Sequence, residues 1–257
     1  MKVDWLSYAP FLAEGLVKTL ELTALGFLGA CLVGMLVAVL RLSPVKAIRT
    51  IGYLYTELFK NLPMITGIFI IYFGLTGIGL VLDSFTAGYL SLSLFYGAYL
   101  AEIFRGGLQG INKGQLEAAQ ALGLTPLRVL FSVQVPQAVR LSLPATSTML
   151  VDLLKGTALL VTIGGGELMT QASIVSAQTF RPLEVYVVIG LIYLAMCWPL
   201  ARLAGWLETH LHKGTALSPL GRKLRHEALL QLRTRNDSAH PRPDMTDPVL
   251  ISEGGAK

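Results

Sequence analysis

Long runs without a charge set the pattern of this chain. Residues 22–40 contain none and end at Arg41, and 62–82 contain none and end at Asp83. Residues 84–101 follow at once, and 185–201 run uncharged to Arg202. A further run, 141–166, is interrupted only by Asp152 and Lys155. A helix needs about 20 mostly apolar residues to cross a hydrocarbon core. The pattern therefore predicts an all-α polytopic membrane protein with five spans, at about 16–40, 62–82, 84–101, 141–166 and 185–204. With a single residue between them, the second and third form a tight antiparallel hairpin. Ahead of the first, Trp5, Tyr8 and Phe11 suit a short interfacial helix on the outer leaflet. Within it, Gly26, Ala30, Gly34 and Ala38 recur every fourth residue, a small-residue face that lets another helix approach closely.

Composition agrees. Hydrophobic residues are 53% and charged residues 14% of the chain, against about 45–50% and 25% in an ordinary soluble domain. Residues 1–220 hold the uncharged runs, whereas 221–257 are crowded with Arg, Asp, His and Pro. Lys and Arg orient the spans. The segments 41–56, 102–140 and 202–257 carry 16 basic residues, against Lys2, Lys18 and Arg181 on the other side. The amino terminus is predicted outside and the carboxyl terminus cytoplasmic. The first apolar run starts too late and runs too long for a cleaved signal peptide. Cys31 and Cys197 lie inside apolar runs and read as small buried hydrophobes. All four His (210, 212, 226 and 240) fall near or in the tail, so no metal or proton site within the membrane is expected to use imidazole. No phosphate-binding G-x-x-x-x-G-K-[ST] run is present, so any nucleotide-derived energy has to come from another polypeptide.

The inner segment 102–140 is far longer than a link between antiparallel helices requires. Asn112 with Gln115 reads as a capping box that opens a short helix. Gly123 supplies a left-handed stop. Thr125–Pro126 then starts a second short helix as N-cap and first-turn residue, and Pro136 marks the entry to the next element. Helices this short are marginal alone in water and need a surface to lie on. The tail 213–257 is basic, with Leu220, Leu224, Leu229, Leu230 and Leu232 spaced for a helix over 217–235 that rests on the anionic inner leaflet. From Asn236 onward the composition predicts disorder. Nucleic-acid binding is not expected, since no binding module accompanies the basic run.

Glu117-Ala118-Ala119, three residues, Gly123, nine residues, then Val133-Gln134-Val135-Pro136 resembles the EAA loop of bacterial ATP-binding-cassette importer permeases, with Val at two positions where the family has Ile and Leu. The flanking stretches from Tyr99 to Gly107, Gly114 to Glu117 and Pro136 to Arg140 resemble its polar amino-acid uptake branch. So do Gly15-Leu16 with Thr19-Leu20, the run from Tyr55 to Pro63 with Lys60 replacing Arg, Glu167-Leu168, and Glu208. The likeness covers Glu14 to His212.

The resemblance implies a permease subunit that moves polar amino acids across the bacterial inner membrane. ATP and Mg would be bound by a separate ATPase subunit, with no cofactor in this chain. It further implies a second permease, identical or homologous, and a soluble substrate-binding protein outside. Gly114, Gln115, Glu117, Ala118, Ala119, Gly123 and Arg128 would dock in a groove of the ATPase. The family's fourth span usually reads K-D-T-S-L, where this chain has Lys155-Gly156-Thr157-Ala158-Leu159. Asp152, one turn earlier, stands ready as an i,i+3 partner of Lys155. Ionisable residues within a span usually face a bundle interior or a water-filled path, which makes Asp152, Lys155 and Thr157 candidates for the translocation path or its gate. A buried pair that only fixes helix register is the structural alternative. Pro144 and Gly164-Gly165-Gly166 permit a kink and a break at the two ends of this span. The rival functions are the same machinery carrying another solute, such as an ion or an opine-like compound, and a non-transporting membrane anchor or sensor.

Overall fold

The computed structural model describes residues 4–212; the helix expected over 217–235 and the segment from Asn236 lie outside them. Every described element is helical. In chain order these are α1 (Trp5–Leu42), α2 (Lys46–Asn61), α3 (Met64–Gly77), α4 (Ser84–Gln109), α5 (Lys113–Ala121), α6 (Pro126–Ile163), α7 (Leu168–Thr179) and α8 (Pro182–His212).

Among the described residues, α1, α6 and α8 are long and apolar enough to cross a membrane. A fourth crossing results if α2 and α3, bent by 111° at their junction, form one broken span. Pro63 causes the bend: the residue before a proline is pushed out of the helical region, and Leu62 sits at φ −86°, ψ 133°. The run 62–82 is apolar throughout, yet its helix closes early. Gly79 at φ +88° takes a left-handed stop, with Leu80 N–H donating to Leu75 O and Gly79 N–H to Thr76 O.

α4 is long enough to span, but its serines lower its hydropathy. Its position explains why they are tolerated. It is wrapped by the other helices, with Ala87, Gly88, Ser91, Leu92, Phe95, Gly97, Ala98, Leu100 and Ala101 buried. Ser91 Oγ donates to Ala87 O at 2.7 Å, and Ser93 Oγ to Tyr89 O at 2.7 Å. Each hydroxyl is thus satisfied without water. Asp83 caps the helix, accepting from Thr86 N–H at 3.1 Å.

The expected small-residue face of α1 packs on α4. Gly26, Ala30, Gly34 and Ala38 are all buried, and a Cβ on Gly34 would lie 2.8 Å from Leu100 Cβ and 3.2 Å from the backbone of Gly97 and Ala101. Leu22, Ala30, Leu92, Leu100, Leu153 and Leu160 complete the seam between α1, α4 and α6. The opposite face of α1, with Leu28, Leu32, Met35, Leu36 and Val39, is exposed, as a lipid-facing surface would be.

Two expectations are corrected. No separate interfacial helix precedes the first span: α1 runs unbroken from Trp5 through Pro10. Trp5, Tyr8 and Phe11 pack against a second core of Leu12, Leu168, Val175, Val185 and Ile189 from α1, α7 and α8. A proline this near a helix start removes a single backbone bond, and the contacts of the three aromatics hold the turn in line. The second short helix of the inner segment is likewise not separate. α6 passes through Pro136 into the membrane-spanning stretch, with a π-turn at Leu130–Gln134 just before the proline. Such a turn shifts the bonding register by one residue, which lets Pro136, lacking its N–H, sit inside a continuous helix.

Candidate functional site

The segment between the two long helices is 110–125, since α4 continues to Gln109 and α6 begins at Pro126. It holds α5 between two well-formed ends. Asn112 caps α5 by accepting from Gly114 N–H at 2.8 Å, while Gln115 N–H donates to Asn112 O. The cap therefore reaches the second helical residue, and the reciprocal bond expected of a capping box is not part of it. The other end closes as expected. Gly123 sits at φ +79°, its N–H donates to Gln120 O, and Leu124 N–H donates to Ala119 O at 3.2 Å. This is a Schellman motif, and it requires a residue without a Cβ penalty at positive φ. Thr125 then caps α6, accepting from Arg128 N–H at 3.4 Å.

Ile111 and Ala119, with Val129 of α6, are buried, and α5 packs on the start of α6; Ala119, expected among the exposed docking residues, is thus turned inward. Gly114, Gln115, Glu117, Ala118, Gly123 and Arg128 are exposed. So are two large apolar side chains, Leu122 at 82% and Leu127 at 67%. The segment is a firmly terminated knob whose outward side mixes one acid, one guanidinium and bare leucine.

The span candidates divide. Asp152 and Lys155 form an i,i+3 pair at 3.7 Å with side chains 45% and 58% exposed. Asp152 opens on a cavity of about 310 Å³ lined with Met64, Phe95, Tyr96, Tyr99 and Met149, and Tyr96 Oη donates to Asp152 O at 2.8 Å. Lys155 lines a neighbouring cavity of about 270 Å³ with Met169, Tyr186 and Tyr193. Thr157 lies apart from both: it is fully buried and its hydroxyl donates to Leu154 O at 2.7 Å. Beyond it the helix tightens to a 3₁₀ stretch, Thr157–Ile163, and breaks at Gly164, φ +67°. The expected glycine break is present.

Two features stand outside the predicted site residues. Glu167 is fully buried and caps α7, accepting from Thr170 N–H at 3.0 Å, from the Thr170 hydroxyl at 2.6 Å and from Met169 N–H. Burial pushes its carboxyl above the usual range, and these hydrogen bonds oppose the shift. The Glu-x-x-Thr spacing ahead of an apolar run is the signal for this cap. At one end of the bundle, Arg41 of α1 reaches both Glu102 of α4 and Thr56 of α2, and Arg105 holds the other oxygen of Glu102. In sequence Arg41 and Arg105 read as inner-side markers, and Glu102 and Arg105 as part of the Tyr99–Gly107 likeness, but nothing in their spacing announces that Arg41 and Glu102 meet.

Residues 30–213 match the model of a family described as the binding-protein-dependent transport system inner membrane component. A probable glutamine ABC transporter permease of Bacillus subtilis is 34% identical over 200 residues, 78% of this chain and 93% of the relative. The arginine transport system permease ArtQ of the same organism is 35% identical, over 72% and 84% of the two chains. Its L-cystine permease TcyB is 31% identical over 82% and 90%. Among solved structures, a chain of an amino acid ABC transporter crystallised with histidines superposes with a TM-score of 0.76 at 35% identity, covering 82% of this chain and 100% of that one. A chain of the inward-facing MetNI methionine transporter shares the fold at 21% identity, TM-score 0.58.

Proposed function

The chain belongs to the family of binding-protein-dependent transport system inner membrane components, and from that premise we propose that it is the permease subunit of an importer for polar amino acids. The relatives named for glutamine, arginine and L-cystine support that substrate class. The bundle crosses the inner membrane five times, with α4 as the central crossing and the amino terminus outside. It pairs with a second permease, so that the path lies between the two, and receives its substrate from a soluble binding protein.

The observation that carries this reading is the knob formed by 110–125 and the first turn of α6, capped at both ends of its short helix and exposing Glu117, Leu122, Leu127 and Arg128. Each copy engages one ATPase subunit, which holds the ATP and Mg. Leu122 and Leu127 enter the ATPase groove and Glu117 meets basic groups there. When the ATPases close, the knobs approach each other. Because α6 runs as one helix from the knob, through the π-turn at Leu130–Gln134, to Asp152 and Lys155, a displacement of the knob is carried along it to that pair. An exposed i,i+3 pair contributes little stability of its own, about 0–1 kcal/mol, and exchanges readily for substrate: the ammonium group of an amino acid replaces Lys155 at Asp152, and its carboxylate replaces Asp152 at Lys155.

The test is uptake in reconstituted vesicles. Glu117→Lys reverses the charge of the knob, and Gly123→Pro cannot adopt φ +79°. Both should abolish uptake and ATPase stimulation while the chain still inserts. Full uptake by both variants would discard the mechanism.

A further inference from the structure

The inner ends of three helices are joined by one carboxylate. Glu102 lies two turns before the end of α4, immediately ahead of the knob. One of its oxygens pairs with Arg41, at the last turn of α1. The other accepts from Arg105 Nη2 at 2.7 Å and Nε at 3.0 Å, and Arg105 in turn donates to Gln109 at 2.5 Å. Arg41 also donates to Thr56 Oγ1 of α2 at 2.6 Å and lies over the Tyr53 ring, 5.3 Å from its centre. The three charged side chains are only 13–28% exposed, which screens them less than surface pairs. Room for Arg41 is provided by Gly52, where a Cβ would stand 2.8 Å from Arg41 Cγ.

We infer that Glu102 is a positioning residue, the shared anion of a clamp that makes the feet of α1, α2 and α4 move as one body with the knob. Charge-assisted bonds are about twice as strong as neutral ones, and the fork of a guanidinium fixes orientation as well as distance. The knob leaves α4 after Gln109, which Arg105 holds, so a push on it arrives at Glu102 within two turns. Through Arg41 and Thr56 the push is delivered to α1 and α2 at the same moment. Without the clamp α4 yields alone, and the ATPase stroke is spent in local bending.

The inference rests on the permease reading above, and the experiment separates the two. The complete transporter, with second permease, ATPases and binding protein, is reconstituted in vesicles, and substrate imported per ATP hydrolysed is measured. In Glu102→Gln, assembly and ATPase rate should persist while import per ATP falls roughly tenfold, the scale expected for one lost charged hydrogen bond. Arg41→Gln should fall similarly, and the double variant no further than either single one, since all three break the same link. Import per ATP at the wild-type value in Glu102→Gln overturns the inference, as does an equal loss of import and hydrolysis, which marks a merely structural or docking role. Should Glu102→Gln fail to assemble, Arg41→Gln, which removes the link to α1 and α2 while leaving the Arg105–Glu102 bonds within α4 in place, carries the same test with the same outcomes. A wild-type chain that imports nothing overturns the permease reading instead.

Discussion

Gly34 shows how closely a single residue is held. A side chain there meets the backbone of Gly97 and Ala101, which cannot move without shifting α4 itself. Gly34→Leu should lower stability by about 1–3 kcal/mol or more, as overpacking does. Gly205→Ala, with nothing within 4 Å of its Cβ, should be near neutral. Thermal midpoints in detergent compare the two, and equal midpoints would remove the packing account of the small-residue face. Asp83 gives a pH test. The Thr86 hydroxyl and then its backbone N–H hold the Asp83 carboxyl below its ordinary value. A folded-state pKa below the unfolded one contributes stability above the unfolded value, about 3.9, and that contribution disappears as pH falls through the folded value. Asp83→Asn keeps a cap acceptor but should erase this part of the acid dependence, leaving a flatter midpoint curve below about pH 4. An unchanged curve would assign the acid loss to other carboxylates. The periodicity of Gly26, Ala30, Gly34 and Ala38 was legible in sequence, though ordinary Gly and Ala content of a membrane helix fits the same spacing, and the contact with α4 decides between the two. The meeting of Arg41 with Glu102 was not, because 61 residues separate them and only tertiary packing closes that gap.

Helix ends were legible where a local rule decides them, and helix lengths were not. Gly123 and Thr125–Pro126 behave as their chemistry requires, since a positive φ and a missing N–H are properties of the residue itself. Hydropathy, in contrast, cannot see where an apolar helix stops. The uncharged run 62–82 is helical only over Met64–Gly77. Pro136 misled in the other direction, because a π-turn absorbs it within α6. α4 inverts the usual expectation: the central helix of a membrane bundle touches little lipid and can afford serines, while the outer face of α1 cannot. The knob follows from the same physics. Its helix is nine residues long, too short to persist in water unaided, and Ile111, Ala119 and Val129 anchor it. Ala119→Asp should loosen this anchor and lower ATPase stimulation without altering the exposed contact residues. Protease cleavage within 110–125 would report the loosening, and wild-type resistance together with full stimulation would argue against the anchor.

At the scale of the molecule, among the described residues, the bundle is apolar on the outer face of α1 and packed on small residues between α1 and α4, and the segment 110–125 exposes charge beside bare leucine. On the proposed reading, that segment is where a separate ATPase subunit would move the permease. A single cysteine at residue 117, in a chain whose Cys31 and Cys197 have been replaced, measures this most directly. In the assembled transporter it should cross-link to an ATP-hydrolysing subunit; in the chain without that subunit it should be labelled by a membrane-impermeant thiol reagent only in inside-out vesicles, and docking of the subunit should suppress that labelling. Labelling of residue 117 from the exterior of intact cells, or cross-linking to no ATPase at all, would contradict the account.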